Sequence, residues 1–294
     1  MSHMTNVTEE IEIRSWSEFE SEILKIEEWK ASRCGPDRIR EMVFRGLGNA
    51  DWGLETTLDR SLMNGERADG TMSLLKYYKK IDRAKTAIES VTGRQWRDLP
   101  DWHNFRESMA QDPIGWLDMI LTKTPEVYEY LVYLRHHGFP SPLLDWTESP
   151  YLATFFAYDG MEPKAKHVCV YALLQSNMTG GSSDAHFFIV GPYMNTHPRH
   201  YLQQGRYSMC VSLKIKRDEP DNRDFLFCPQ THGILEGGLG KNGRLLKIKL
   251  PATERLSILQ RLDQMNINPH SLYGSEDALV RTIARRECLF KDWD

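Results

Sequence analysis

Residues 131–158 have the sequence LVYLRHHGFPSPLLDWTESPYLATFFAY, and the rest of the chain is organised around this stretch. Leu131 and Leu134 have the spacing of the buried face of an amphipathic helix, which Gly138 is expected to end. The two prolines that follow hold the next backbone in extended conformations. The first half of the stretch therefore predicts a helix followed by a constrained turn.

A second, buried helix is predicted at the end of the same stretch. Ser149 suits the N-cap because its hydroxyl accepts a hydrogen bond from the first turn, and Pro150 suits the first helical position. Asp145 lies between two leucines and a tryptophan, so we expect its carboxylate to be at least partly buried and therefore hydrogen-bonded or paired. This makes Asp145 a candidate functional residue.

The composition is that of a globular protein. The chain has 294 residues, of which 40% are hydrophobic, and this is enough for one elaborated domain. The net charge of -4 gives no global basic surface of the kind that nucleic-acid binders usually show, although a local positive groove stays compatible with it. The N-terminus is polar, and no run approaches the roughly 18 apolar residues that span a bilayer. We therefore expect a soluble, cytoplasmic protein.

The cysteines and glycines predict neither a metal site nor a nucleotide loop. The five cysteines are widely scattered and include no CxxC pair, so we expect free thiols and no bound metal. The run GGLGKNG at residues 237–243 lacks Walker spacing and the flanking strand and helix of a phosphate-binding loop. Residues 1–4 resemble an expression-vector remnant and carry no fold information.

Near the N-terminus the pattern predicts a short strand around Ile11 and Ile13 and a helix over residues 15–30. Residues 42–46 then predict a short apolar strand that ends at Arg45. An arginine at this place is either a surface residue or a bidentate donor to a phosphate, and the sequence leaves both interpretations open.

The remainder of the chain predicts the class α+β. Residues 73–130 have helical periodicity with breaks at glycine and proline, and predict a large helical insertion whose tryptophans are packing residues. Strands dominate the second half, with a loop at 175–184 and a turn at 266–274. The main predicted strands are residues 167–174, 186–190, 207–214, 224–227 and 244–250. A mixed or antiparallel sheet is therefore expected at the core.

Several motifs, in their order and spacing, resemble the FRG domain family. They are Phe44-Arg45-Gly46, Trp52-Gly53-Leu54, Thr57-Leu58-Asp59-Arg60, His136-x-Gly138-x-Pro140, Leu143-Leu144-Asp145-Trp146-Thr147-x-Ser149-Pro150, and a later segment with Arg199, Gln203, Gly205 and Tyr207. The sequence departs from the family at Arg135, where glutamine is usual, and at Ser141-Pro142, where Thr-Arg is usual. The resemblance implies an FRG domain over residues 40–290 that contains the helical insertion. It also implies that residues 1–39 are an N-terminal extension.

The same pattern is more weakly similar to the mono-ADP-ribosyltransferases. That resemblance implies a split-sheet core, NAD as a substrate, no metal, and transfer of ADP-ribose to a protein or a nucleic acid. FRG proteins often occur in bacteria and their phages, which implies a toxin or an anti-phage defence effector. An antitoxin or a regulatory protein is then the expected partner, and a membrane is not.

The resemblance also implies roles for particular residues. Arg45 and Arg199 would hold a pyrophosphate, His136 would contact a ribose or transfer a proton, and Asp145 would orient that histidine or a neighbouring donor. The other candidates are Gln203 in catalysis and Gly46, Thr147 and Ser149 in NAD binding.

The glutamate that the transferases use stays unassigned, because Gly205 stands at its expected position and Glu236 or Glu276 would serve only in a different topology. Two alternatives to an enzyme therefore stay open. The same pocket would bind a nucleotide or a partner without turnover, or His136 and Asp145 would form a buried polar pair that only fixes the turn.

Overall fold

A computed structural model describes residues 8–33, 39–63, 71–111, 125–176, 180–182, 185–191, 199–216, 219–230 and 243–290. The strands are β1 (Thr8–Glu12), β2 (Glu41–Leu47), β3 (Met72–Ser73), β4 (Leu144–Thr147), β5 (His167–Gln175), β6 (Gly180–Ser182), β7 (Ala185–Val190), β8 (Gly205–Lys216), β9 (Glu219–Phe227) and β10 (Arg244–Pro251). The helices are α1 (Trp16–Ala31), α2 (Thr57–Met63), α3 (Leu74–Thr92), α4 (Trp102–Gln111), α5 (Pro125–His136), α6 (Pro150–Asp159), α7 (Arg199–Leu202), α8 (Arg255–Gln264), α9 (Pro269–Tyr273) and α10 (Glu276–Cys288).

The strands form one mixed sheet, which confirms the α+β class. Its order is β1-β10-β5-β2-β4-β8-β7-β6, and β9 pairs with β8 and with β3. The pairing of β1 with β10 is parallel, and the other described pairings are antiparallel. The strands β2, β4 and β8 lie next to one another in the middle, so the motifs at residues 44–46, 144–147 and 205–207 meet although they are distant in sequence.

The two helices of the opening stretch begin and end as predicted. Gly138 has a φ of +83°, which the left-handed turn after α5 requires. The Ser149 hydroxyl accepts the Leu152 N–H at 3.3 Å, with Pro150 at the first position of α6. The segment between them was predicted as a turn, but Leu144–Thr147 is the strand β4, because its backbone pairs with β8 over four residues.

The helical insertion covers one side of the sheet with an aromatic cluster. Trp96 is buried, as the packing interpretation predicted, and Tyr78 stacks on Phe105 with ring centroids 3.5 Å apart. Residues of α3, α4 and α5 join side chains from β8 and β9 in this cluster. A second cluster, made by α1, α6 and α8 with β2, β5 and β10, packs elsewhere on the sheet. None of the helices in the described ranges has the length and apolar character needed to cross a membrane.

Two short elements lie where loops were predicted. The strand β6 falls inside the predicted loop 175–184, since Gly180–Ser182 pairs with β7. The helix α9 falls inside the predicted turn 266–274, where Asn268 and Ser271 form a capping box. The glycine-rich run at 237–243 lies outside the described residues, apart from its last glycine.

Gly46 allows β2 and α6 to approach each other closely. A Cβ atom on Gly46 would lie 1.8 Å from the carbonyl oxygen of Ala153 in α6. Backbone atoms on both sides make this contact, so a side-chain rotation cannot relieve it. Gly46 therefore serves packing, in addition to its predicted place near a ligand.

We predict that Gly46→Ala destabilises the protein by about 3 kcal/mol, because one element must move to admit the methyl group. Gly53→Ala is the matched control, since its nearest obstacle is the carboxylate end of Glu55, which is flexible. Urea unfolding of both variants provides the measurement. Equal stabilities for the two variants would contradict the packing role of Gly46.

Candidate functional site

A cleft of about 340 Å³ opens where β2, β4 and β8 meet the end of α5 and the helices α7 and α9. Its lining contains Arg45, Gly46, His136, Asp145, Thr147, Arg199 and Gln203 from the sequence-based candidates, and in addition Phe44, Arg135, Trp146, Phe156, His200, Gly205, Tyr207 and Tyr273. Ser149 is the one candidate that does not line it. The structure thus brings together candidate residues that lie up to 158 positions apart, from Arg45 to Gln203.

The centre of the cleft is an ion cluster made by Arg135, Asp145 and Arg45. The Arg135 guanidinium donates to both carboxylate oxygens of Asp145, with Nε 3.3 Å from Oδ1 and Nη2 in closer contact with Oδ2. Arg45 Nη1 donates to the backbone carbonyl of Asp145 at 2.6 Å and lies 3.7 Å from Oδ2. One aspartate therefore holds two arginines from different elements.

This geometry corrects one expectation, which concerns Arg45. Arg45 was expected at a strand end, but β2 continues to Leu47, and the Arg45 side chain is only 14% exposed. Asp145 was expected to orient His136 or a neighbouring donor, and its carboxylate contacts the neighbouring donors Arg135 and Arg45. The physical reason is that a guanidinium satisfies both carboxylate oxygens at once, which a single imidazole nitrogen does not.

The charges of the cluster stabilise one another. Burial would raise the pKa of Asp145, but Arg135 and Arg45 outweigh this effect and hold the pKa below its usual range. Burial lowers the pKa of Arg45 to about 10, with Asp145 opposing the shift, so Arg45 stays protonated at neutral pH. Burial likewise disfavours the charge of Arg135, but Asp145 overcomes this and raises its pKa. At neutral pH the cluster is thus two cations around one anion.

His136 has a different partner. Its Nε2 lies 3.0 Å from the hydroxyl of Tyr207, on the central strand β8. Burial raises the pKa of Tyr207, so the phenol keeps its proton at neutral pH. The hydroxyl therefore forms a hydrogen bond with the imidazole as donor or as acceptor, depending on the tautomer of His136. The His200 ring lies parallel to Tyr207 with centroids 5.8 Å apart, and Gly205 leaves the room that His200 occupies. The Tyr207 hydroxyl is therefore fixed at the base of the cleft.

Arg199 and Gln203 connect α7 to α9 at the rim. Arg199 Nε donates to the carbonyl of Tyr273 at 3.0 Å, and its guanidinium lies 5.6 Å from the centroid of that ring. Gln203 Nε2 donates to the carbonyl of Leu272 at 3.2 Å. These contacts place a cation beside an aromatic ring at the mouth of the cleft, an arrangement suited to an anionic ligand with a flat ring system.

Thr147 and Ser149 brace the backbone beside the cleft. The Thr147 hydroxyl donates to the carbonyl of Gln203 at 2.7 Å and accepts the Ser149 N–H at 3.2 Å. The Ser149 hydroxyl caps α6 and does not reach the cleft lining. Ser149 therefore has a capping role in the structure, and the role of both residues in NAD binding stays a prediction.

Sequence analysis missed Arg135 and Tyr273, and gave Tyr207 no site role. Arg135 stands next to His136 at the last turn of α5, and a charged residue beside a candidate ligand-binding histidine was the available clue. Tyr273 lies in a segment that was predicted only as a turn. Asp145 is the one acidic residue in the lining described by the structure, and Glu276 lies outside this lining, while Glu236 is outside the described residues. The described residues contain no group of three metal-ligating side chains.

A comparison with protein-family models matches residues 40–166 to the FRG domain. No curated protein and no solved structure matches the chain. The matched segment contains β2 and β4, whose partners β5 and β8 lie beyond residue 166. The extent of the domain to residue 290 stays a prediction, which these strand pairings favour.

We predict that Asp145→Asn lowers the free energy of unfolding by about 2 kcal/mol at pH 7, because two largely buried guanidinium groups lose their counter-charge. The loss is limited to this size because the Asp145 side chain is 40% exposed, so that solvent screens part of its charge. Asp98→Asn, on the exposed surface, is the control.

The pH dependence of this difference tests its cause. The pKa of Asp145 is lowered by folding, so its contribution is complete above the unfolded value of about 3.9 and is lost as the pH falls through the folded value. As the pH is lowered from 7 into the acid range, the free energies of unfolding of the wild type and of Asp145→Asn are expected to converge. A gap that persists in acid would show that charge is not its origin.

Proposed function

We propose that the cleft binds NAD as a substrate and that the protein, whose residues 40–166 match the FRG domain, is an ADP-ribosyltransferase-like enzyme acting on a protein or nucleic-acid target. The observation that carries this proposal is the charge of the cleft. Arg45, Arg135 and Arg199 line it together with a single carboxylate, Asp145. This lining favours a ligand with at least two negative charges.

Shape and chemistry of the lining narrow the ligand class. Guanidinium groups bind phosphate oxygens through paired hydrogen bonds, and Tyr273 and Phe156 add aromatic surface for a nucleobase or a nicotinamide ring. The volume of about 340 Å³ lies within the range of small-molecule sites. A nucleotide that carries a pyrophosphate satisfies both requirements.

NAD supplies a glycosidic bond whose nicotinamide leaving group already carries a positive charge, so the reaction needs mainly positioning and stabilisation of positive charge on the ribose. Arg45 and Arg199 are proposed to hold the pyrophosphate. Asp145, ionised and partly exposed to the cleft, would stabilise the cationic ribose carbon as nicotinamide leaves. His136 would accept the proton of the attacking target group at Nδ1, in the tautomer whose Nε2–H donates to the Tyr207 hydroxyl.

One observation favours a second candidate, a nucleotide- or partner-binding module without turnover. The carboxylate of Asp145 is already engaged by two arginines, and no glutamate is found in the lining of the cleft over the described ranges. A carboxylate held in this way has a weaker field at the ribose than an unpaired one. Nicotinamide release separates the two candidates.

The biological setting is part of the proposal. A bacterial toxin or anti-phage effector that consumes NAD or modifies a cellular target, kept in check by an antitoxin or regulatory protein, is consistent with the FRG resemblance. In cells, this proposal predicts that expression of the protein arrests growth and that substitution of the cleft arginines relieves the arrest.

We predict that NAD raises the melting temperature of the wild type, and that Arg199→Ala and Arg45→Lys both weaken NAD binding by about tenfold or more. Arg45→Lys keeps the charge and loses the fork that binds phosphate bidentately, and it avoids leaving Asp145 with one cation fewer, as Arg45→Ala would. Saturating NAD, at about 100 times its dissociation constant, adds roughly 2.7 kcal/mol to the stability of the wild type. Arg83→Ala, on the exposed face of α3, is the control.

Thermal shift gives the binding arm of this test, and chromatography of nicotinamide released from NAD gives the catalytic arm. Stabilisation by NAD with no nicotinamide release, in the presence of cell extract as a source of targets, would support the binding module. If NAD does not stabilise the wild type, the protein is neither an enzyme that uses NAD nor a module that binds NAD, and both candidates are overturned for this ligand.

A further inference from the structure

Two buried thiols face each other across a strand pair that lies behind the cleft. Cys210 is on β8, three residues after Tyr207, and Cys228 follows the last residue of β9. Their sulfur atoms are 3.3 Å apart. Both are free in this structure, and they are 1% and 8% exposed, respectively.

The backbone already has the arrangement that a disulfide needs. Val211 pairs with Phe227, so the antiparallel register places Cys210 directly opposite Cys228. The Cys228 N–H donates to the Cys210 carbonyl at 3.2 Å, which extends the ladder to this pair. Hydrogen-bonded antiparallel pairs have Cα atoms about 5.5 Å apart, a separation typical of disulfides. A bond between the sulfurs thus requires a small movement of the side chains alone.

We propose that Cys210 and Cys228 are a redox-modification site that a peroxide converts to an intramolecular disulfide in the folded protein. Cys228 is the more exposed of the two and is assigned as the attacking thiol. Its thiolate attacks one oxygen of the peroxide, so that an S–O bond forms and the O–O bond breaks; the attacked oxygen stays on Cys228 as a sulfenic acid, and the other oxygen takes up a proton and leaves as an alcohol or water. The Cys210 thiol then attacks the Cys228 sulfur, which releases water and forms the disulfide.

The electrostatic surroundings agree with these assignments. The hydrogen bond between the two sulfurs lowers the pKa of Cys228, and the same contact together with burial raises the pKa of Cys210. A lower pKa makes Cys228 the better source of thiolate. Cys169 is buried, and burial raises its pKa to about 12, so it is an internal reference for an unreactive thiol.

The site is coupled to the cleft through neighbouring side chains. Ser208, two residues before Cys210, accepts the indole N–H of Trp146 at 2.7 Å and donates to the Gln230 side chain. Gln230, two residues after Cys228, returns a hydrogen bond to the Ser208 carbonyl at 3.1 Å. Since Trp146 lines the cleft, a disulfide here fixes the strands that support one of its walls. The inference about the thiols does not depend on NAD or on catalysis.

The test uses the full chain with Cys34 and Cys288 replaced by Ser, which leaves Cys169, Cys210 and Cys228. The folded protein is treated with hydrogen peroxide, quenched, unfolded and labelled with a maleimide. We expect loss of the mass of two hydrogen atoms, a single labelled thiol at Cys169, and a peptide that links Cys210 to Cys228. The oxidised protein is expected to melt about 5 °C higher, because the cross-link restricts the unfolded chain.

Two variants separate the steps. Cys210→Ser should accumulate a sulfenic acid at Cys228 that dimedone traps, whereas Cys228→Ser should leave Cys210 unmodified under the same treatment. Three labelled thiols after oxidation of the folded protein, or a disulfide that forms only when denaturant is present during oxidation, would overturn the proposal. Dimedone labelling of Cys210 in place of Cys228 would overturn the assignment of the attacking thiol.

Discussion

The ion pair of Asp145 with Arg135, together with Arg45 3.7 Å from the same carboxylate oxygen, is the interaction on which the geometry of the cleft depends. It joins the end of α5 to β4 and β4 to β2. Two guanidinium groups are largely removed from water here, and this has a cost that only a nearby anion and hydrogen-bond acceptors offset. Asp145 provides both, through its carboxylate and its backbone carbonyl.

The same interaction explains why a cationic cleft is stable before any ligand arrives. Arg45 and Arg135 would repel each other without a shared counter-charge, and each lowers the cost of burying Asp145 in turn. The hydrogen bonds to Asp145 also fix the orientation of both arginine side chains, so the guanidinium groups are in place before a ligand binds. Pre-positioned groups lose less side-chain freedom when a ligand binds, and this favours affinity.

Local chemistry made part of this structure predictable. The N-cap at Ser149, the left-handed Gly138 and the need of Asp145 for a partner all follow from neighbours in sequence. The identity of that partner does not. Arg135 and His136 are adjacent, but adjacent residues on a helix point about 100° apart, so the packing of α5 decides which of them meets Asp145. A single sequence contains no information on that rotation when both residues are polar.

The elements that sequence analysis missed are short ones that depend on distant partners. The strand β4 has four residues, too few for a periodic pattern, and its pairing with β8 brings in residues about 60 positions away. Arg45 was placed at a strand end because Gly46 follows it, since glycine usually weakens a strand. In the structure Gly46 pairs with Val170, inside β2. It lies where α6 comes close to the sheet, and a close approach of another backbone is the second common reason for a glycine inside a strand.

Composition hid the positive charge of the cleft for a related reason. The whole chain has a net charge of -4, while Arg45, Arg135 and Arg199 give the cleft lining an excess of two positive charges over Asp145. Net charge averages over surfaces that the fold keeps apart, and the field in a partly enclosed cleft is set by the groups that line it. The negative charge of the rest of the chain is therefore compatible with the phosphate binding that we propose. The pyrophosphate of the proposed ligand would balance the two positive charges that Asp145 leaves uncompensated.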